Sequence, residues 1–163
     1  MVPMKALAAL FAEAGCDDVQ TFIQSGNVVF HAGARLADAL EGVLEAKLSH
    51  QFGFEIPLVL RSSDALRSVA DNNPFLHGPR PEPEMAHVLF LAKAPIAKQV
   101  AALDPGRSPP DELAVRGREI YLRLPNGVGR SKLTNAYFDR ALGTMGTMRN
   151  WRTVLALLAL AGS

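Results

Sequence analysis

Leu113–Leu124, LAVRGREIYLRL, is the stretch on which the fold turns. Leu113 to Val115 and Ile120 to Leu124 read as two short strands, and Arg116-Gly117-Arg118 between them reads as the turn of a β-hairpin. Upstream, Val88 to Leu91 has the apolar character of a buried strand and Ile96 to Leu103 that of a helix, with Asp104 to Pro110 (DPGRSPP) as a loop. Downstream, Ser131 to Leu142 and Asn150 to Ala161 read as the last two helices. The order β-α-β-β-α-α contains β-α-β-β-α, one strand short of a ferredoxin-like unit.

His77 to Glu84 (HGPRPEPE) carries three prolines and no apolar periodicity, so it reads as a linker. Before it, Met4, Leu7, Phe11 and Ala14 share one helical face, and Gly15 is a natural stop. Val19–Ile23 and Val28–Phe30 flank Gln24-Ser25-Gly26-Asn27, the signature of a second hairpin. Leu36, Leu40, Val43, Leu44, Leu48 and Phe52 repeat at helical spacing up to Gly53. Ile56–Leu60 suggests a short strand with Pro57 near its start, and Ser63 and Asp64 open a helix that ends by Pro74. The expectation is an α+β protein of two related halves, residues 1–78 and 79–163, each an antiparallel sheet backed by helices.

With 48% hydrophobic and 20% charged residues, the composition of the 163-residue chain excludes disorder. No apolar run approaches the roughly 18 residues that span a bilayer, and Val154–Ala161 reads as part of a terminal helix. Met1-Val2-Pro3-Met4 leads directly into a helical pattern and lacks the features of a signal peptide, which points to a cytoplasmic location. Cys16 is the single cysteine, so neither an internal disulfide nor a cysteine-based metal site is expected. Nothing implies a cofactor.

The overall charge of +1 conceals an asymmetry. Arg116–Arg152 holds eight Lys and Arg against Glu119 and Asp139, a local balance of +6, while the remainder has nine against fourteen, or −5. Within the basic part, NGVGRSKLTN (residues 126–135) and RNWR (residues 149–152) concentrate glycine with basic, amide and aromatic side chains. Gly127 and Gly129 would free backbone amides for a ligand, Ser131 would cap the following helix, and Arg130 and Lys132 would add full positive charge. Asn135, Arg149, Asn150, Trp151 and Arg152 complete this candidate ligand site, with the helices joined closely enough to bring Arg149 or Arg152 to the same face. Gln24, Ser25, Gly26 and Asn27 form a second candidate loop.

The segments VPMKALAALF, TFIQSGNVVF, PNGVGRSKLTN and TMRNWRTV, in that order, resemble the DUF1697 family, a domain family of unknown function. The resemblance implies two ferredoxin-like halves and no reaction. It places the family's Gln-Ser-Gly-Asn turn on Gln24–Asn27, its glycine-basic loop on Asn126–Leu133, and its terminal motif on Arg149, Asn150, Trp151 and Thr153. Family members usually open with an apolar strand and an Arg-Gly-Ile-Asn-Val-Gly-Gly segment ahead of the position of Val2. The first half is therefore expected to lack its opening strand, with a homodimer through that sheet as one means of compensation.

Enzymatic signals are sparse. Ser25 lacks a strand-turn-helix nucleophile elbow, and His31, His50, His77 and His87 lack the i,i+4 spacing of a helical metal pair. Asp17-Asp18 and Glu82/Glu84 fall in expected loops, and the spacing of Gly127–Lys132 departs from that of a phosphate-binding P-loop. Binding of an anion, on a phosphate-containing metabolite or nucleic acid, ranks first. A structural or protein-interaction module ranks second, and an enzyme acting on a phosphorylated small molecule third.

Overall fold

The computed structural model describes residues 3–22, 26–54 and 58–162. The chain divides into two compact units, Met1–Leu60 with Ala159–Ser163, and Arg61–Leu158. This division falls between residues 60 and 61, whereas the sequence expectation draws its boundary between 78 and 79.

In the first unit, helix α1 (Met4–Glu13) buries Leu7, Leu10 and Phe11, which lie at helical spacing on one side. Gly15, at φ +102°, continues beyond α1 in a backbone conformation that an L side chain would strain. Strands β1 (Asp17–Phe22) and β2 (Asn27–His31) pair antiparallel, with Phe22 opposite Asn27, and a register shift interrupts the ladder between Asp17 and Gln20. Helix α2 (Ala34–Phe52) buries Leu40, Leu44 and Leu48, one every fourth residue, and ends on Gly53 in the left-handed conformation. These helices and the hairpin enclose a core in which the Phe11 and Phe30 rings meet at 5.0 Å. Of the strand expected over residues 56–60, residues 56 and 57 lie outside the described residues, and Leu58–Leu60 are not in a strand.

The second unit opens with helix α3 (Ser63–Asp71), whose N-cap is Ser62, accepting a hydrogen bond from the Ala65 N–H. Strand β3 (Ala86–Leu91) is buried at all six positions. Helix α4 (Ala97–Ala101) is shorter than expected at both ends. Strands β4 (Glu112–Arg116) and β5 (Glu119–Arg123) form the expected hairpin, turning at Gly117 with φ +58°. Helix α5 (Asn135–Leu142) follows, then strand β6 (Gly146–Asn150) and helix α6 (Trp151–Ala161).

β6 corrects the sequence reading, which ran from helix to helix through a loop there. Gly-Thr-Met-Arg-Asn carries no strong strand signal of its own, and pairing with β3 imposes the conformation: Asn150 lies opposite His87 and Gly146 opposite Leu91. The sheet order is β4-β5-β3-β6 with every pair antiparallel. β-α-β-β-α-β in that order is a complete ferredoxin-like unit, with β3 and β5 central. One face buries Leu89, Leu91, Ile120 and Leu122 with Leu103, Phe138 and Leu142.

Gly146 is required by close packing. A Cβ there would lie 3.0 Å from Leu89 Cδ1 and 3.1 Å from Leu91 Cδ2, and both leucines are fully buried. Gly146→Ala should destabilise the protein by about 1–3 kcal/mol through overpacking. Urea denaturation with an unchanged midpoint would show that the leucines can yield. A second expectation concerns His87, whose pKa burial lowers below the usual histidine value. As pH falls through the ordinary histidine range, the unfolded chain takes up a proton that the folded one resists, so this residue should cost stability toward acid. Replacing His87 with Gln should flatten the acid side of a Tm-against-pH profile.

Candidate functional site

The loop after β5 is shaped by its own hydrogen bonds. The Gly127 N–H donates to the Leu124 carbonyl, and Gly127 takes φ +82°. Val128–Arg130 form one 3-10 turn, closed by the Ser131 N–H on the Val128 carbonyl. Ser131 accepts from the Leu133 N–H and does not cap the helix. That role belongs to Thr134, whose hydroxyl accepts from the Tyr137 N–H at 3.1 Å. The amides of Gly127, Ser131, Lys132 and Leu133 are thus engaged within the protein, so the Gly127 amide is not left to a ligand as expected.

A second loop, residues 104–111, fastens the first. Ser108 Oγ, buried, accepts from the Lys132 N–H at 2.9 Å and donates to the Asp111 carboxylate at 2.7 Å. Arg107 Nε donates to the Lys132 carbonyl at 2.9 Å, and its guanidinium lies 4.1 Å from the centre of the Tyr137 ring, a cation–π contact. Sequence reasoning left Arg107 in an undifferentiated proline-rich loop. Its place beside Lys132 depends on a contact across 25 residues.

The outcome for the basic side chains is different. Arg130, Lys132 and Arg152 are exposed. Among the described residues none of the three has an ion-pair partner, whereas Arg61 pairs with Glu119, and Arg123 with Glu82 and Glu112. Arg149 is half-buried. Its Nη1 donates to Thr147 Oγ1 at 2.6 Å and the Met148 carbonyl at 2.9 Å, and burial lowers its pKa from the usual arginine value.

The remaining motif residues have structural partners. Asn135 Nδ2 donates to the Asp139 carboxylate and to the Gly146 carbonyl, both at 3.0 Å, while Asp139 Oδ1 accepts from the Gly146 N–H. α5 thereby holds the first residue of β6 by its donor and its acceptor. Asn150 Oδ1 accepts from the Thr153 N–H at 2.9 Å and caps α6. Trp151 is 5% exposed, so its ring is not open to stacking with a base. Because Ala86 pairs with Arg123 and His87 with Asn150, the loop after β5 and the start of α6 leave the same end of the sheet. β3 lies between their strands, so β5 and β6 are two strand spacings apart in the sheet, about 9–10 Å.

Of the other candidate loop, Gln24 and Ser25 lie outside the described residues. Gly26 has φ +84°, and Asn27, buried, donates from Nδ2 to the Phe22 carbonyl at 3.2 Å, tying the end of the hairpin.

Fold and site together define an α+β protein with a ferredoxin-like second unit and a basic loop at one end of its sheet. The chain belongs to the DUF1697 family, described as proteins of unknown function, whose family model matches residues 1–121. The matched stretch ends before the loop at 126–132. The structure is similar to that of the conserved bacterial protein SP0830 from Streptococcus pneumoniae, with a TM-score of 0.70 and 18% sequence identity over 100% of this chain and 91% of that one. At that identity the likeness concerns the fold. No curated protein matches the chain. Among the described residues no helix is long and apolar enough to cross a membrane.

These placements separate structural from exposed members of the terminal motif. Asn150→Ala should cost about 1 kcal/mol through loss of the α6 cap. Arg152→Ala should leave the unfolding free energy within about 0.5 kcal/mol of the parent, as is usual for surface substitutions. Equal losses at the two positions would contradict this division of roles.

Proposed function

We propose that this is a cytoplasmic anion-binding protein that takes the phosphate group of a metabolite or nucleic acid on the loop Gly127–Lys132. The observation that carries the reading is the pair of exposed cations Arg130 and Lys132, without an ion-pair partner among the described residues, on a loop pinned through both backbone groups of Lys132. A pinned loop loses little conformational freedom when a ligand arrives, so more of the electrostatic attraction appears as affinity. The planar guanidinium of Arg130 suits two-point contact with phosphate oxygens, while Lys132 acts as a point charge. Arg107 supplies a third positive group beside Lys132. With four loop amides engaged internally, recognition falls to side chains, and exposed side-chain charges give salt-sensitive binding. The burial of Trp151 favours contact with phosphate over contact with bases.

A second reading, a structural or protein-interaction module, draws support from the hydrogen bonds of Asn135 and Asn150 and from the burial of Trp151. The double variant Arg130→Ala/Lys132→Ala distinguishes the two. Calorimetric titration with inorganic phosphate, and with a short single-stranded oligonucleotide, should show binding by the parent that weakens as salt rises. The double variant should lose that binding while keeping its melting temperature. A parent that binds neither probe at low salt, with a destabilised double variant, would establish the structural reading instead.

A further inference from the structure

At the opposite end of β5 from the basic loop, a cavity of about 500 Å³ lies between the C-terminal part of α3 and the β4–β5 hairpin. That volume is within the roughly 300–1,000 Å³ of small-molecule sites. Its apolar surface comes from Val69, Pro74 and the ring of Tyr121, of which Val69 and Tyr121 are themselves buried. Its polar groups are Ser68, Asn72, His77, Arg116 and Glu119.

The charges in the cavity are not equivalent. Glu119 Oε2 is 2.9 Å from Arg61 Nε, and both side chains are largely buried, at 19% and 7% exposure. Arg61 is fixed further by hydrogen bonds from Nη2 to the carbonyls of Leu91 and Arg118, and its guanidinium lies over the Phe90 ring. The Glu119 charge is therefore compensated within the fold. Arg116, its partner across the hairpin, is exposed and has no ion-pair partner among the described residues. Its Nη1 donates to the Val115 carbonyl, which steadies the side chain and leaves the other guanidinium N–H groups to a ligand. The cavity thus presents a net positive edge above an apolar floor. Asn72 Nδ2 donates to the Ser68 carbonyl and hydroxyl, so the Ser68 O–H can donate to a second acceptor.

We propose that this cavity binds a small aromatic carboxylate, its carboxylate held by Arg116 and Ser68 and its ring laid against Val69, Pro74 and Tyr121. A planar anion matches a guanidinium in shape and charge, and a flat apolar ring gains chiefly from covering the exposed Pro74, since Val69 and Tyr121 present little surface of their own. The site lies beyond the far end of β5 from Arg130 and Lys132 and does not depend on phosphate binding there.

The test is a titration of the full chain with benzoate, followed by amide NMR. The amides of Ser68, Asn72, Glu119 and Tyr121 should shift saturably in the millimolar range, and benzyl alcohol, which has the ring without the charge, should bind more weakly. Arg116→Ala should weaken benzoate by about tenfold, the loss expected for one charge-assisted hydrogen bond. Ser68→Trp, which fills the cavity mouth from an exposed helix position, should abolish the shifts while thermal melting confirms that the variant is folded. Absence of saturable shifts at these residues overturns the proposal, as do equal affinities for benzoate and benzyl alcohol. Shifts that persist in both Arg116→Ala and Ser68→Trp also overturn it.

Discussion

The second unit depends on satisfying the backbone of β3. All six of its residues are buried, so each N–H and C=O must find a partner within the protein, and each one left without a partner would cost about 1–3 kcal/mol. β5 supplies one ladder and β6 the other. β5 brings its own apolar residues, Ile120, Tyr121 and Leu122, to that position. β6 brings one, Met148, partly buried against the core, and it is recruited by other means as well. Gly146 allows close approach to Leu89 and Leu91, and Asn135 and Asp139 on α5 grip both backbone groups of Gly146.

That requirement explains why so many chemically suggestive residues near the C-terminal end have architectural roles. Asn135 anchors a strand, Asn150 caps a helix, and Ser108 with Asp111 fixes the loop that carries Lys132. Polar side chains at such junctions satisfy backbone groups that regular structure leaves over. Once those roles are assigned, the exposed cations Arg130, Lys132 and Arg152 remain at one end of the sheet. None of the three has an ion-pair partner among the described residues, and their charge faces solvent, as does the side chain of Val128 on the same loop as Arg130 and Lys132.

A similar contrast runs through the arginines. The Arg61 side chain is largely covered, with a carboxylate, two carbonyls and an aromatic ring around it, and it neutralises Glu119. Arg116, across the hairpin from that glutamate, keeps its charge available. Arg107 stacks on Tyr137 and hydrogen-bonds to a carbonyl, so its guanidinium contributes both structure and field. Residue type alone does not separate these cases, because an arginine's role is set by whether its partners lie within hydrogen-bonding reach.

The sequence by itself determined the elements whose signals are local. The leucine spacing and terminal glycine of α2, the apolar run of β3, and the strand-turn-strand patterns around residues 26 and 117 all correspond to observed elements. The α+β class followed from their order. The basic loop was also legible, since glycine and charge cluster there in the chain itself. Tertiary structure decided the rest. Gly146–Asn150 becomes a strand because β3 needs a second edge, and α5 starts at Asn135 because Thr134, not Ser131, reaches the Tyr137 amide. Arg107 joins Lys132, and Glu119 is neutralised by Arg61 across 58 residues, through contacts that no local pattern encodes. Propensity and periodicity act over a few residues, whereas burial and hydrogen-bond satisfaction are settled only when distant segments meet.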